Sequence, residues 1–441
     1  MKPTLFLILA FPCLLGAQEV SKDPFVKDKK AATSDPTVAD TSKNVSCLIE
    51  TITLPQSDYA AIIDSPKGRE ALHDRVLDAV KAGSAVLDGC HFLITSRGTR
   101  SRSQSTDELL YPSEWDSPNF GGYQFPSAFE MQPLGDKLEF EPVMDDKGGA
   151  LSINQDFTRD RFTGFRASKA DTSDSGVPVP GFVQKGSPTG CDAIPGVPAL
   201  VSTWASSDSA SVTLVFATPQ VEPSHQPPEP AEVGVGNMHV TARVYSVERA
   251  NGWELLRKHS RDASACYADV KSWVSARDAV LEHISTSVTR PGTRAQNRSG
   301  RRYYYGTEFI PPLREGDEKA DRKNPGKPVA HASPAGVTSF DCRDLGFSWE
   351  MEGTLNSEGT TFSITVSFGC ASLVGQLKDP LWSERYPEMP LFSEQRITTS
   401  FTQANGSVIL VGTLNPPGDT GANERKDAGR MWLLFFETNL E

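Results

Sequence analysis

Residues 237–441 repeat residues 45–220 in diverged form, and this duplication limits the possible folds more than any motif in the chain. Gly98, Arg100, Tyr111 and Glu114 recur as Gly292, Arg294, Tyr305 and Glu308, each 194 positions later (292 − 98). Gly135 recurs as Gly346, 211 positions later (346 − 135), and Phe129, Leu134, Glu139 and Glu141 keep the same offset to Phe340, Leu345, Glu350 and Glu352. The step between the two offsets is one insertion in the charged, Pro-rich stretch between Pro312 and Phe340, and insertions of this kind fall in loops. The matched positions are mostly glycine, aromatic and apolar. They specify a fold twice over, and function has to be argued from other residues.

Each copy is expected to open with a strand. Met238, Val240, Ala242 and Val244 alternate with polar neighbours, and residues 45–54 take the matching place. One helix follows: Leu72, Val76 and Val80 answer to Cys266, Val270 and Val274. The clearest element is a hairpin. Leu138 and Phe140 precede a turn at residues 145–149 and Leu151, Ile153 and Phe157 return, while Trp349 and Met351 precede residues 356–359 and Phe362, Ile364, Val366 and Phe368 return. Such alternation fits antiparallel strands with one buried face. Residues 201–203 and 212–217 are matched to residues 396–401 and 408–414 as a closing strand pair. Residues 431–436 are then a strand found only in the second copy, apolar on both faces and suited to the middle of a sheet.

The start of the chain reads as an export signal over residues 1–17, with Lys2, an apolar run too short to span a bilayer, and small residues before Gln18. Residues 18–44 have too little apolar surface to offset their ordering entropy and read as a disordered spacer. Residues 45–220 and 237–441 are each long enough for a core, with residues 221–236 as a Pro-rich linker. No later run suggests a transmembrane helix. A net charge of −12 and a pI of about 5.2 argue against nucleic acid as a partner. The one basic cluster, Arg290, Arg294, Arg298, Arg301 and Arg302, reads as a solvated loop face.

Little in the chain points to catalysis. The seven histidines lack metal-pair spacing, no C-x-x-C occurs, and there is no nucleophile elbow, zincin motif or phosphate loop. No cofactor, metal or catalytic residue is assigned, and the chain is read as non-enzymatic. The best repeated polar residues, Glu114 and Glu308, are expected to accept hydrogen bonds at strand ends. Arg100 and Arg294 are expected to brace turns against Glu or a carbonyl. Cys342 and Cys370 flank the second hairpin as diagonal neighbours and are the candidate disulfide, bridgeable with a bulge. The aromatic groups Tyr303, Tyr304 and Tyr305, and Trp115, Phe120 and Tyr123, are either sheet core or an adhesive patch.

In order along the chain, these landmarks resemble the C-terminal homology domain of bacterial type II and type III secretion secretins. The carriers are the Arg-Gly turns at Gly98 and Gly292, the phrase from Phe129 through Leu134-Gly135 to Pro142, and the closing phrase from Pro390 through Arg396 to Gly412. The resemblance implies an α+β fold: two tandem, diverged repeats, each a mostly antiparallel β-sheet with one packed helix. It also implies a place in the periplasm or at the outer membrane, and protein partners in a secretion or pilus assembly; a homo-oligomer fits as well. The chain departs from secretins where a pore-former needs spanning strands. Residues 164–197 are rich in Gly, Pro and Asp, and Asp379-Pro380 interrupts residues 369–389. The expected function is therefore a non-enzymatic envelope scaffold or binding protein without a pore of its own. The alternatives are a free-standing periplasmic or secreted binding protein of secretin ancestry and an envelope hydrolase.

Overall fold

The computed structural model describes residues 44–64, 71–116, 125–144, 151–167, 177–205, 210–222, 236–259, 261–310, 336–377, 388–417 and 429–441. The expected signal, nearly all of the spacer and most of the linker lie outside the described residues. Residues 38–441 form one compact unit.

The first half of that unit comprises β1 (Asn44–Pro55), α1 (Gln56–Ile63), α2 (Leu72–Lys81), β2 (Val86–Ser96), β3 (Ser101–Asp116), β4 (Phe125–Met144), β5 (Leu151–Ala167), β6 (Pro178–Ala193), β7 (Ala199–Ala205) and β8 (Ser211–Val221). The second half has the same order of elements: β9 (Met238–Glu248), α3 (Arg249–Lys258), α4 (Ala263–Ala276), β10 (Ala279–Thr289), β11 (Ala295–Ile310), β12 (Gly336–Leu355), β13 (Thr361–Gln376), β14 (Pro390–Ala404), β15 (Val408–Leu414) and β16 (Arg430–Leu440). Within each half the strands pair alike. β1 lies between β2 and β8 as β9 lies between β10 and β16, and the runs β3-β4-β5-β6 and β11-β12-β13-β14 are both continuous.

The α+β expectation of one sheet and one helix per copy is overturned. The described residues are mostly strand, each half has two helices, and neither half owns a sheet. Two eight-stranded antiparallel sheets are shared, in the orders β10-β9-β16-β15-β2-β1-β8-β7 and β11-β12-β13-β14-β3-β4-β5-β6. The stretch taken as too rich in Gly and Pro for strands forms β6, paired to β5 along most of its length. With β6 in place, the closing strand pair falls one position later than the sequence match implies. β7 corresponds to β15 and β8 to β16, so residues 431–436 are not confined to the second copy.

Burial explains the layering. β1 and β8 are buried at nearly every successive residue, and β9 and β16 at most, so both faces of the first sheet are covered. Helices supply Leu72, Val76, Trp253, Leu256 and Val270 to the main core, and the long-strand sheet supplies Leu138, Phe140, Ile153, Trp349, Met351 and Phe362. Those long strands alternate buried and accessible residues, with one face on the core. A second apolar cluster, including Leu109, Tyr305, Phe309, Leu345 and Phe392, gathers at the far end of the long strands. There Glu308 on β11 pairs with Ala128 on β4, so that β4, β3, β14, β13, β12 and β11 form a closed cycle of neighbours.

Two glycines make that geometry possible. Up to Leu134, β4 pairs with β3, and at Gly135 it also takes up β5; β12 takes up β13 at Gly346 in the same way. Gly135 has φ +130° and Gly346 φ +118°, and a Cβ would stand 2.3 Å from Ser105 O or 2.2 Å from Ser299 O. Only glycine allows the twist and the close approach together. Gly135→Ala or Gly346→Ala is expected to destabilise the protein by about 2 kcal/mol or more. Gly98→Ala, where φ is +69° but a Cβ meets nothing, should cost about 1 kcal/mol. Denaturant unfolding of the three variants checks the ranking.

Candidate functional site

The seam between the halves concentrates the buried chemistry of the molecule. Its backbone is the β14–β3 ladder, paired from Leu391↔Leu109 to Thr398↔Arg102, with β15 touching β2 at Gly412↔Leu93. Small hydroxyl side chains line it because they reach backbone groups across two closely apposed strands. Phe92 N donates to Thr413 Oγ1 at 2.7 Å, Ser103 Oγ to Thr413 O at 3.2 Å, Ser393 Oγ to Thr106 O at 3.3 Å, and Thr399 Oγ1 to Ile94 O. At the other end Asn44 and Thr402 exchange two hydrogen bonds, side chain to backbone, at 2.6 and 2.8 Å.

Asn415, just past β15, plugs into the first half. Its backbone N donates to Ser105 Oγ at 2.8 Å, and its Nδ2 reaches Cys90 O at 2.7 Å and His91 Nδ1 at 3.1 Å. Because Nδ1 accepts, the ring proton of His91 sits on Nε2 and is donated to Asp136 Oδ2 at 3.0 Å. Arg159 grips the same carboxylate with two nitrogens at 2.6 and 2.8 Å. Burial alone would raise the Asp136 pKa, but the Arg159 guanidinium and the hydrogen bond from His91 hold it well below the usual carboxylate range. A second buried carboxylate, Glu50, accepts from His73 in its own half at 2.7 Å and from Trp253 of the other half.

A third group crosses the seam among the long strands. Arg343 on β12 reaches both Glu108 on β3 and, at 3.4 Å, Glu394 on β14. Burial pushes Glu108 up to about 7, with Arg343 opposing that shift and Glu394 adding to it. Beside Arg343, a cleft of about 620 Å³ opens at the fork of β12 and β13, lined among others by Arg298, Gly300, Arg302, Gly346 and Cys370. Among the described residues, no three or more His, Cys, Asp or Glu side chains are placed to hold a metal ion.

The sequence-matched residues occupy equivalent places in the two halves. Gly98 and Gly292 are positive-φ turns. Arg100 pairs with Glu141 at 3.1 Å and Arg294 with Glu350 at 2.8 Å. Tyr111 donates to Glu130 at 3.0 Å and Tyr305 to Asp341 at 3.4 Å. Glu114 and Glu308 both stand opposite Ala128, one on each side of β4. Tyr303 and Tyr305 pack on Phe392 while Tyr304 is exposed; Phe120 and Tyr123 lie outside the described residues. The candidate Cys342–Cys370 bridge is not formed. Cys370 stands opposite Phe347 on β12, five residues from Cys342, or about 16 Å along a strand, which no bulge closes. The seam groups Asn415, His91, Asp136, Arg159, Glu108 and Arg343 gave no sequence signal, because their partners lie far away along the chain and they are not repeated. Arg159 and Asp136 correspond in the second half to Cys370 and Phe347.

No protein-family model matches the sequence, and no curated protein matches it. Among solved structures the chain is similar to the type II secretion system secretin GspD of E. coli K12, at 11% identity over 55% of this chain and 58% of that one, with a TM-score of 0.23. It is similar to the Salmonella SPI-1 type III secretion injectisome secretin InvG at 9% identity over 64% of this chain and 87% of that one, TM-score 0.24. It is also similar to the V. cholerae type IV competence pilus secretin PilQ at 8% identity over 90% of this chain and 60% of that one, TM-score 0.20. These solved structures are secretins, the class its sequence resembles. Likeness at these scores carries no role from those proteins to this one.

Two expectations test the electrostatics of the seam. Between the unfolded carboxylate pKa near 4.5 and about 7, folded Glu108 keeps a proton that the unfolded chain releases, so its contribution to stability falls as pH rises through that window. Glu108→Gln should flatten this fall, which amounts to about 3 kcal/mol at most, in unfolding curves taken from pH 4.5 to 8. Asp136 has the opposite sign: its contribution is present above the unfolded value and lost in acid. Asp136→Asn leaves Arg159 buried and uncompensated and should cost about 3–5 kcal/mol at neutral pH in the same assay.

Proposed function

We propose that this protein is a non-enzymatic scaffold of the bacterial cell envelope, secretin-like in origin, that serves an export or pilus-type assembly through protein contacts and forms no pore by itself. The observation that carries this reading is how the buried ionisable groups are used. Asp136, Arg159, Glu50, Glu108 and Arg343 are bonded to one another or to partners across strands and the seam, which makes them structural braces. Export is taken from the residues 1–17 reading, and the assembly from the sequence resemblance.

The strands are long enough to cross a bilayer, so the argument against a pore rests on their outward residues. Lipid-facing strands need an apolar outer band, and an arginine at mid-bilayer costs about 2–4 kcal/mol. On β11, Gln296, Arg301, Arg302 and Tyr304 are exposed, while Tyr305 and Phe309 turn into the second apolar cluster. A barrel wall built from this strand would set arginines against hydrocarbon.

The full chain is expected to stay soluble without detergent and to add no conductance to planar bilayers. Affinity capture from the envelope fraction of the source cell should return secretion or pilus components. Recovery of the protein only as a heat-resistant, conducting ring in detergent extracts would overturn the reading.

A further inference from the structure

We infer that the cleft at the fork of β12 and β13 is a binding site for a phosphate monoester carried on a sugar. This goes beyond the scaffold reading and stands without it, because it rests on the cleft alone.

The C-terminal part of the basic cluster, read from sequence as a solvated loop face, lies on a strand. Arg298, Arg301 and Arg302 belong to β11, and Arg343 joins them from β12, where it stands opposite Tyr303. All four line the cleft. Two of them are committed within the chain: Arg302 pairs with Asp344 at 2.9 Å, and Arg343 with Glu108 and Glu394. Arg298 and Arg301 are exposed and have no carboxylate partner among the described residues. Asp344 and Glu394 are the acidic residues of the lining, so four arginines face two carboxylates and the wall has an excess of two positive charges. In a chain of net charge −12 that wall runs against the average. Asp344 feels its field: the hydrogen bond and charge of Arg302, with Arg298 and Arg343 behind them, hold its carboxyl below the usual range.

The fork supplies backbone as well as charge. Past the Gly346↔Ala371 pair, β12 continues on β11 and β13 on β14, so their facing edges have no strand partner there. Such an edge presents N–H groups that can donate to an anionic oxygen. Gly346, Gly369 and Ala371 in the lining leave those edges uncovered by long side chains. At the equivalent fork of the first half the place is already taken. The Pro417 ring stands 3.1 Å from where a Cβ of Gly135 would be, and Asp136 is a built-in anion for Arg159. In the second half those two positions are Phe347 and Cys370, and the uncommitted cations stand beside them on β11.

Charge and size select the ligand. A phosphate monoester carries about −1.5 to −2 charges at neutral pH and presents three acceptor oxygens, which meets the excess of the wall in a single group. A carboxylate or a phosphate diester brings only one charge. Planar guanidinium forks match phosphate oxygens with paired N–H donors. At about 620 Å³ the cleft falls within the range of small-molecule sites, about 300–1,000 Å³, and has room for a body beyond the phosphate. Tyr304, 64% exposed, and Phe347 offer ring faces on the same wall, and Ser299 and Ser348 offer hydroxyls. A sugar, with apolar C–H faces and a rim of hydroxyls, is complementary to both.

The test uses the purified full chain in isothermal titration calorimetry with glucose 6-phosphate, inorganic phosphate and glucose. The sugar phosphate should bind, inorganic phosphate more weakly, and glucose not at all. Arg298→Ala and Arg301→Ala alter exposed residues, so both variants should keep the melting temperature while each weakens binding about tenfold or more. Arg161→Ala removes the same charge from an exposed residue just beyond the first fork and should leave binding unchanged. Co-sedimentation with phosphatidylcholine vesicles, with and without phosphatidylinositol 4-phosphate, separates the two sources of such a group. Capture by the phosphorylated vesicles that is lost in the same two variants assigns a lipid headgroup, and binding of the sugar phosphate without capture assigns a soluble ester. The inference is overturned if neither ligand binds, if the two variants bind as well as the parent, or if Arg161→Ala loses as much as they do. Equal affinity for glucose or for inorganic phosphate would overturn it as well.

Discussion

The fold depends on one backbone ladder, that of β14 on β3. Without it β3 would be a sheet edge, with a row of unpaired backbone groups and the hydroxyls of Ser101, Ser103 and Ser105 facing water. With it and the β15–β2 contact beside it, each sheet runs unbroken through both halves, and the apolar residues of β1, β8, β9 and β16 are covered on both faces. The side-chain bonds of the seam follow from that pairing. Thr413, Thr399 and Asn415 reach backbone groups of β2 because the ladder has already set the strands at hydrogen-bonding distance. The salt bridge of Asp136 with Arg159 and the fork of Arg343 to Glu108 and Glu394 then specify register more than they add net stability, since desolvation offsets much of what a buried ion pair gains.

Much of this was legible from sequence where the signal was local and given twice. Gly135 and Gly346 recur because both are positive-φ forks, and Arg100 and Arg294 recur because each faces a glutamate across the β3–β4 or β11–β12 ladder. The hairpin residues Leu138, Phe140, Trp349 and Met351 declared themselves by alternation and are all buried. What stayed hidden was non-local. β6 carries glycine and proline in place of β-branched residues, and its strand character comes from pairing with β5, so composition pointed the other way. The helices α1 and α3 are short and lack a side-chain N-cap, with an Asn-Gly inside α3, and periodicity could not mark them. The sharing of both sheets between halves is a fact of partner choice, which no local pattern encodes.

The two halves differ at their forks. The first half turned the fork region into a charged plug, with Arg159 and Asp136 receiving Asn415 through His91. In the second half the corresponding fork is open and lined by arginines, with Phe347 stacked on His283 at 4.3 Å and Cys370 beside it. One fork is filled by Pro417 from the other half, while the equivalent fork at Gly346 opens on a cleft.

Glu50 bears on the order in which the chain can mature. It is 1% exposed and satisfied by His73, 23 residues later in sequence, and by Trp253, 203 residues later. A chain delivered from its N-terminus presents the first donor early and the second only after the whole first copy and the linker have appeared. During that interval the first copy has an underbonded buried carboxylate and an uncovered β3, the combination most prone to pairing with the wrong strand. The first copy is therefore not a domain that waits, finished, for its twin. Its Glu50 and its β3 edge are both completed by the second half of the chain.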